Sequence, residues 1–272
     1  MRLSPSAILF GTLMLWIGAG WFCYRNVIAD LVHQWQVNPS YSHGPIVVPI
    51  AFWLLWLRRS SRPPVSKPWR GGFGLLLTAH LLLWMGAYFY VPAVERWSVP
   101  LWLASVVGVL CGRQVLVWAL PGIGFLAFMI PIPFQLESLA NQSLQWASAW
   151  CSCLLLGLTS TVAVTDGYSL RMATGRVGIT TDCSGLRMTI AIAAVGYILT
   201  VLKQQQTHSE RYERGSRQAV AVRLGMMVVL VVPAAILANA IRITVMAWVM
   251  NQFQVESYTT WAHDLGDWLV LP

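Results

Sequence analysis

Apolar residues occur along the chain in long runs, and charged residues are largely confined to the segments between them. Such runs are typical of transmembrane helices, because about 20 apolar residues are needed to cross a bilayer. The pattern predicts an all-α, polytopic integral membrane protein with about seven or eight transmembrane helices and additional interfacial or re-entrant helices. The predicted helical runs are 6–23, 46–57, 75–91, 99–111, 115–130, 137–158, 183–202, 220–237, 239–251 and 258–271.

Two basic links set the predicted topology. Residues 58–70 carry five Arg and Lys side chains and no acid, and residues 203–217 carry one lysine and three arginines. Because basic links face the cytoplasm, an even number of helices must cross between them. Five candidate helices lie there, so we predict that the most polar one, 137–158, lies in the interface or re-enters the membrane. Residues 159–182 would then face outward.

The segments outside these runs are short. We interpret 25–42 as an interfacial helix, and Glu95 with Arg96 as an outer turn. Residues 168–179 predict a short hairpin, or an irregular loop, that leads directly into the helix at Cys183. No soluble domain is visible, so 1–272 is predicted to be a single membrane-embedded domain.

The composition agrees with this architecture and excludes several functions. Hydrophobic residues make up 57% of the chain and charged residues 10%, against about 25% charged in soluble domains. The net charge of +8 lies in links where topology and anionic lipid head groups explain it, so nucleic-acid binding is not expected. The five cysteines show no paired ligand spacing, so we expect no disulfide framework, metal or other cofactor. Cys151 and Cys153 point to different sides of a helix and are interpreted as packing residues.

Three polar clusters stand in or beside apolar segments, where polar groups are costly. Cys183, followed by Ser184, Gly185 and Arg187, opens an apolar helix. Asn239 and Arg242 are three residues apart and share a helix face. His263 stands before a short apolar end. Alternatively, the cysteine packs in a core and the arginine reaches lipid head groups.

These residue types fit nucleophilic catalysis. A neighbouring guanidinium lowers the pKa of a thiol, which makes Cys183 the candidate nucleophile. The donors of Asn239 and Arg242 could hold a thiolate or an oxyanion. His263 could relay a proton, because imidazole titrates near neutral pH, and His43 competes for that role.

Five short motifs occur in the order found in a known family. They are Tyr41-Ser42-His43-Gly44, Phe128-Met129-Ile130-Pro131-Ile132-Pro133, Cys183-Ser184-Gly185-Leu186, Asn239-Ala240-Ile241-Arg242 and His263 with Gly266. Over residues 40–266 the chain resembles the exosortase/archaeosortase family of membrane-embedded cysteine transpeptidases and proteases.

The resemblance implies an enzyme that recognises and cleaves C-terminal sorting signals of exported proteins at the outer face of the cytoplasmic membrane. Such a PEP-CTERM-like signal combines a Pro-Glu-Pro-like motif, an apolar helix and a basic tail. The implied partners are these exported proteins and membrane lipids. The implied catalytic residues are Cys183, Arg242 and His263, with Asn239, Ser184, Gly185, Arg187 and His43 in support.

Two other classes of function fit the same residues. A transporter could use Arg242 and His263 to line a path for an anion or protons. A membrane enzyme that transfers acyl or lipid groups could use Cys183 without any peptide signal.

Overall fold

A computed structural model describes residues 5–159, 161–173, 175–178, 185–208 and 216–253 of the chain. Within these ranges the chain forms eight α-helices and one three-stranded antiparallel sheet. The predicted all-α, multi-pass architecture is confirmed. The helices are α1 (Pro5–Val37), α2 (Gly44–Leu57), α3 (Arg70–Tyr88), α4 (Pro92–Cys111), α5 (Arg113–Phe125), α6 (Phe134–Leu158), α7 (Leu186–His208) and α8 (Ser216–Phe253). The strands are β1 (Ala163–Asp166), β2 (Ser169–Met172) and β3 (Gly175–Gly178).

Five stretches of the described chain are helical, long and apolar enough to cross a membrane. A sixth span is possible if Arg113–Met129 and Phe134–Leu158, which are separated by a short break, act together as a broken span. The alternative for this pair is a re-entrant loop, as we predicted for 137–158, and that prediction stays open. The run 258–271, which the sequence analysis included among the helices, lies outside the described residues.

The chain divides into two compact units. The first comprises Met1–Pro133 and Tyr197–Arg211, and the second comprises Phe134–Gly196 and Tyr212–Pro272. Helix α7 therefore contributes its beginning to the second unit and its end to the first. Each unit has its own clusters of buried apolar side chains. The assignment of 1–272 to a single domain stays a prediction.

Helix α1 runs from the first predicted span into the segment that we interpreted as a separate interfacial helix. The break expected at residue 25 does not exist, because the helix continues to Val37. Three buried side chains, Tyr24, Val27 and Leu31, follow one another at the spacing of a helix face. This stripe crosses the expected boundary and packs inside the first unit, which explains why the helix continues.

The turn between α3 and α4 lies earlier than predicted. Glu95 and Arg96 belong to α4, which begins at Pro92, and the turn includes Tyr90 with a φ of 54°. Arg96 is only 8% exposed and its Nε donates a 2.6 Å hydrogen bond to Oδ2 of Asp30 on α1. The charged residues Asp30 and Arg96 therefore form an ion pair between α1 and α4, and they do not mark a loop.

The turn between α4 and α5 is tight. Gly112 separates the two helices with a φ of +88°, a conformation that other residues rarely adopt. A Cβ atom there would collide with the side chain of Ser66, because the basic link packs over the turn. The backbone N–H of Ser66 donates to the carbonyl oxygen of Cys111 at 3.1 Å. The link is therefore attached to this end of the first unit.

The second unit is built on α6, α8 and the sheet. The hairpin predicted in 168–179 is present as β2 and β3, and β1 adds a strand that the sequence analysis missed. Apolar residues of α6, β2 and α8 form the buried core beneath it. Its members are Ala149, Leu156, Leu170, Met172, Ile243 and Ala247.

Helix α8 joins the two predicted runs 220–237 and 239–251 into one helix. It has 38 residues, so it is about 57 Å long, nearly twice the thickness of a bilayer core. Its apolar part is Val229–Gln252. Asn239 and Arg242 therefore lie well inside an apolar helix and not at its end.

Candidate active site

The second unit contains most of the predicted site residues that the structure describes. Gly185 and Arg187 stand at the start of α7, and Asn239 and Arg242 lie in α8. His43 lies in the first unit, at the start of α2. Cys183, Ser184 and His263 lie outside the described residues.

Gly185 is buried and immediately precedes α7. Its carbonyl oxygen accepts hydrogen bonds from the backbone N–H and the hydroxyl of Thr189, both at 2.9 Å, so it forms the first turn of the helix. Its φ is +85°, which favours glycine. A Cβ atom at this position would lie 3.2 Å from Cβ, Cγ and Nδ2 of Asn239. Two motifs that are 54 positions apart by residue number therefore meet at this glycine.

Asn239 is fully buried in the second unit, between this glycine and α6. Its Nδ2 donates a hydrogen bond to Oγ of Ser148, which is also fully buried, at 3.0 Å. This bond orients the side-chain amide of Asn239 relative to the start of α7. Ser148 is a functional candidate that the sequence analysis did not identify.

A second serine joins α6 to α8 one turn further on. The hydroxyl of Ser152 lies 2.7 Å from the carbonyl oxygen of Ser148 and 3.0 Å from that of Ala240. Gln145, one turn before Ser148, is buried as well. The polarity of 137–158 predicts a helix that lies in the interface or re-enters the membrane. Part of it instead forms a buried contact with α8. The three- and four-residue spacing of these polar side chains places them on one helix face, but does not show what that face contacts.

Arg242 lies one turn beyond Asn239 on α8. Its side chain is partly exposed, but its Nε is buried and has no hydrogen-bond partner within the described residues. The ion pairs of the described chain involve Asp30 and Asp166, and neither pairs with it. A guanidinium inside an apolar helix costs about 2.5–3.5 kcal/mol on insertion scales. An unused donor at this cost is suited to binding an anionic group.

The N-terminal and middle motifs contact each other within the first unit. Nε2 of His43 lies 3.0 Å from the carbonyl oxygen of Phe128 and donates to it, since a carbonyl can only accept. The Tyr41 hydroxyl accepts a 3.1 Å bond from the N–H of Ile132, and Nε1 of Trp35 donates to the oxygen of Met129 at 2.8 Å. Three side chains thus bind the 3₁₀ helix Leu126–Met129 and the segment after it, whose prolines prevent further helical bonding. This contact gives His43 a structural role.

The four cysteines that the structure describes show no catalytic surroundings. Cys23, Cys111, Cys151 and Cys153 are free thiols. The Sγ of Cys153 lies 3.0 Å from the carbonyl oxygen of Ala163 and packs against the core of the second unit, as expected for a packing residue. In the described ranges no group of His, Cys, Asp and Glu side chains could hold a metal ion.

Comparison with known families accounts for the order of these motifs. The family model of transmembrane exosortases matches residues 35–272, which include all of the predicted site residues. Comparisons with curated proteins and with solved structures gave no match. Family membership and the apolar helices indicate a multi-pass membrane enzyme that processes sorting signals. The chain belongs to the transmembrane exosortase family.

Proposed function

We propose that the protein is a cysteine peptidase or transpeptidase that cleaves C-terminal, PEP-CTERM-like sorting signals of exported proteins at the outer face of the cytoplasmic membrane. The observation that supports this most is the contact between Gly185 and Asn239. It brings the backbone two residues after Cys183 to the turn of α8 that carries Arg242. The residues implied in catalysis would then act within the second unit.

Cys183 is the proposed nucleophile. It precedes the first residue of α7, Leu186, by three positions, and the amino end of a helix favours a thiolate over a thiol. The thiolate attacks the carbonyl carbon of the scissile peptide bond and forms a tetrahedral oxyanion. When this intermediate collapses, the carbon–nitrogen bond breaks and a thioester to Cys183 remains.

Arg242 is proposed to stabilise the negative charge of this step. Its buried Nε has no hydrogen-bond partner in the described ranges, so it can donate to the thiolate or to the oxyanion without losing another bond. Asn239 would position the start of α7, since its side chain touches Gly185 and is held by Ser148.

His263 is proposed to move the proton. As an imidazolium it protonates the departing amine, and as a neutral imidazole it then accepts a proton from the amine or water that attacks the thioester. An amine attack gives transpeptidation and a water attack gives hydrolysis. His43 is less suited to this role, because its Nε2 already donates to Phe128.

The test is cleavage of a tagged exported protein that carries the signal, in membranes containing the enzyme. We expect Cys183→Ser to abolish cleavage, whereas Cys151→Ser, a change at a free cysteine of α6, retains it. A hydroxylamine-sensitive adduct between the wild-type enzyme and the substrate should accumulate when the acceptor is withheld. Normal processing by Cys183→Ala would refute the covalent mechanism. Signal-independent acyl transfer through Cys183, or transport unaffected by thiol reagents, would favour the other two classes of function.

A further inference from the structure

Arg58 stands at the end of α2, directly after an apolar helix, and its backbone is held on two sides. Its carbonyl oxygen accepts a 3.0 Å hydrogen bond from Nε1 of Trp118 on α5. The same oxygen is bonded by the N–H and the hydroxyl of Ser61 at 3.0 and 2.9 Å. The side chain therefore starts from a fixed point in the first unit.

The guanidinium of Arg58 is half-buried, and no described carboxylate forms an ion pair with it. Its Nε and Nη1 are buried and make no hydrogen bond within the part of the chain that the structure describes. Burial lowers the pKa of Arg58 below its usual value. The titratable group that opposes this effect is the phenol of Tyr197, which is uncharged near neutral pH. The arginine stays protonated, so a positive charge remains here that no described ion pair compensates.

The neighbouring arginine differs in this respect. The guanidinium of Arg59 lies over the ring of Trp56, 3.9 Å from its centroid, and its Nη1 donates to the carbonyl oxygen of Trp56 at 3.3 Å. Arg59 is exposed to solvent, whereas Arg58 is partly enclosed. Arg58 and Arg59 thus carry the same charge in different surroundings, so a substitution of Arg59 is a matched control for a substitution of Arg58.

The surroundings of Arg58 are positively charged. The link 58–70 contains five basic residues and no acid. It is bound along the turn between α4 and α5, where the N–H of Trp69 donates to the carbonyl oxygen of Gly108 at 3.1 Å, in addition to the bond from Ser66. The positive charge is therefore held at one end of the first unit, next to the end of a membrane-spanning helix.

We propose that Arg58 binds the phosphate group of an anionic phospholipid at the membrane face where α2 ends. A phosphate provides several acceptors in the geometry that a guanidinium fork requires. Basic groups next to a transmembrane helix attract anionic lipids. A free phosphate ion has the same oxygen chemistry, but a side chain directly after a membrane span lies at the depth of the lipid head groups.

The test is lipid binding to the full-length protein in nanodiscs that contain phosphatidylglycerol and phosphatidylcholine. Native mass spectrometry counts the phosphatidylglycerol molecules retained by the wild type, Arg58→Gln and Arg59→Gln. We expect Arg58→Gln to bind phosphatidylglycerol about 10- to 100-fold more weakly, the range for losing a hydrogen bond to a charged group. Arg59→Gln should resemble the wild type.

Other outcomes would overturn the proposal. If the wild type shows no preference for phosphatidylglycerol over phosphatidylcholine, the anionic lipid is the wrong ligand, and this measurement needs no variant. If inorganic phosphate displaces the lipid at equal concentration, the site binds the free ion. If Arg58→Gln and Arg59→Gln lose equal amounts of lipid, the link acts as a diffuse charge and Arg58 forms no site. Should Arg58→Gln fail to fold, Arg58→Lys keeps the charge without the planar fork, and unchanged lipid retention in that variant would exclude bidentate binding.

Discussion

Gly185 packs against Asn239 so closely that a Cβ atom at residue 185 would lie 3.2 Å from three atoms of the asparagine side chain. The contact joins the start of α7 to α8 inside the second unit. Two features favour glycine at residue 185. The contact leaves little room for a side chain, and the φ of +85° disfavours any other residue. The arrangement depends on a small residue at 185 and a buried amide at 239.

Gly185→Ala should therefore destabilise the protein and impair the site. The unfavourable φ alone costs about 1–2 kcal/mol, and the methyl group must displace Asn239. Thermal unfolding and signal cleavage would measure the two effects. Gly157→Ala is the control, because Gly157 is exposed near the end of α6 with no atom within 4 Å of an added Cβ. It should leave cleavage intact and stabilise the helix slightly. Equal behaviour of the two variants would show that the contact is unimportant.

The bond between Ser148 and Asn239 predicts a difference between two serines of α6. Ser148→Ala removes the acceptor of a buried amide N–H, which costs about 1–3 kcal/mol when a buried donor is left unsatisfied. Ser152→Ala removes a hydroxyl that donates to helix carbonyl oxygens, so less than about 1 kcal/mol should be lost. Denaturant unfolding of the two variants in the same detergent checks this order. A larger loss for Ser152→Ala would contradict the assigned role of Ser148.

The positions of the helices could be predicted from the sequence, but most of the contacts between them could not. Each apolar run in the described ranges is helical, because an apolar segment in a bilayer must satisfy its backbone hydrogen bonds internally. The segment around Asp30 was misjudged, since its polarity is explained by Arg96, which lies 66 residues away. Strand β1 was missed, although it has the same length as β2 and β3, which were predicted as a hairpin.

The candidate site was predicted only as a set of motifs. Their order indicated that Gly185 and Asn239 belong to one function, but sequence spacing could not show that they touch. Ser148 was overlooked, because a polar residue in an apolar helix can face lipid head groups, water or another helix. Only the packing of α6 against α8 distinguishes these cases.

His43 is predicted to act through its contact with Phe128. His43→Gln places an amide N–H near the position of Nε2 and so can preserve the donor to the Phe128 carbonyl, although it cannot relay protons. We expect this variant to retain most cleavage activity, whereas His43→Ala should lose stability and His263→Gln should lose activity. Stability follows from thermal unfolding, and activity from cleavage rates across pH. An inactive but stable His43→Gln would assign the proton relay to His43.

The predicted topology places the basic link 58–70 and the segment 159–182 on opposite sides of the membrane. Ser61, in the basic link, and Val162, just before β1, are both exposed. Each can be replaced by a single cysteine, as Ser61→Cys or Val162→Cys. In a background without reactive native cysteines, a membrane-impermeant thiol reagent added outside should label only the cysteine at 162. The cysteine at 61 should react only after the membrane is opened. Labelling of 162 from the cytoplasmic side alone would refute the outward position of the sheet and of the active site.

The guanidinium of Arg242 is predicted to be needed for its geometry as well as its charge. Arg242→Ala should reduce cleavage by about 10²–10³ or more, the loss typical of one oxyanion donor. Arg242→Lys keeps the charge but not the planar fork, so it should retain little activity. Arg171→Ala, a change at an exposed arginine of β2 that pairs with Asp166, controls for the general loss of a positive charge. The amount of inserted protein must be measured for each variant, so that a folding defect is not mistaken for a catalytic one.

If Arg242, His263 and Cys183 act in one step, their substitutions should not be additive. Removing one member of such a unit already prevents the step, so the others have little left to contribute. Arg242→Ala combined with His263→Ala should therefore be scarcely slower than the more damaging single variant. Independent contributions would instead multiply, and the double variant would be slower by the product of the two losses. That product, measured with correctly inserted proteins, would show that Arg242 supports substrate binding or packing separately from the proton transfer assigned to His263.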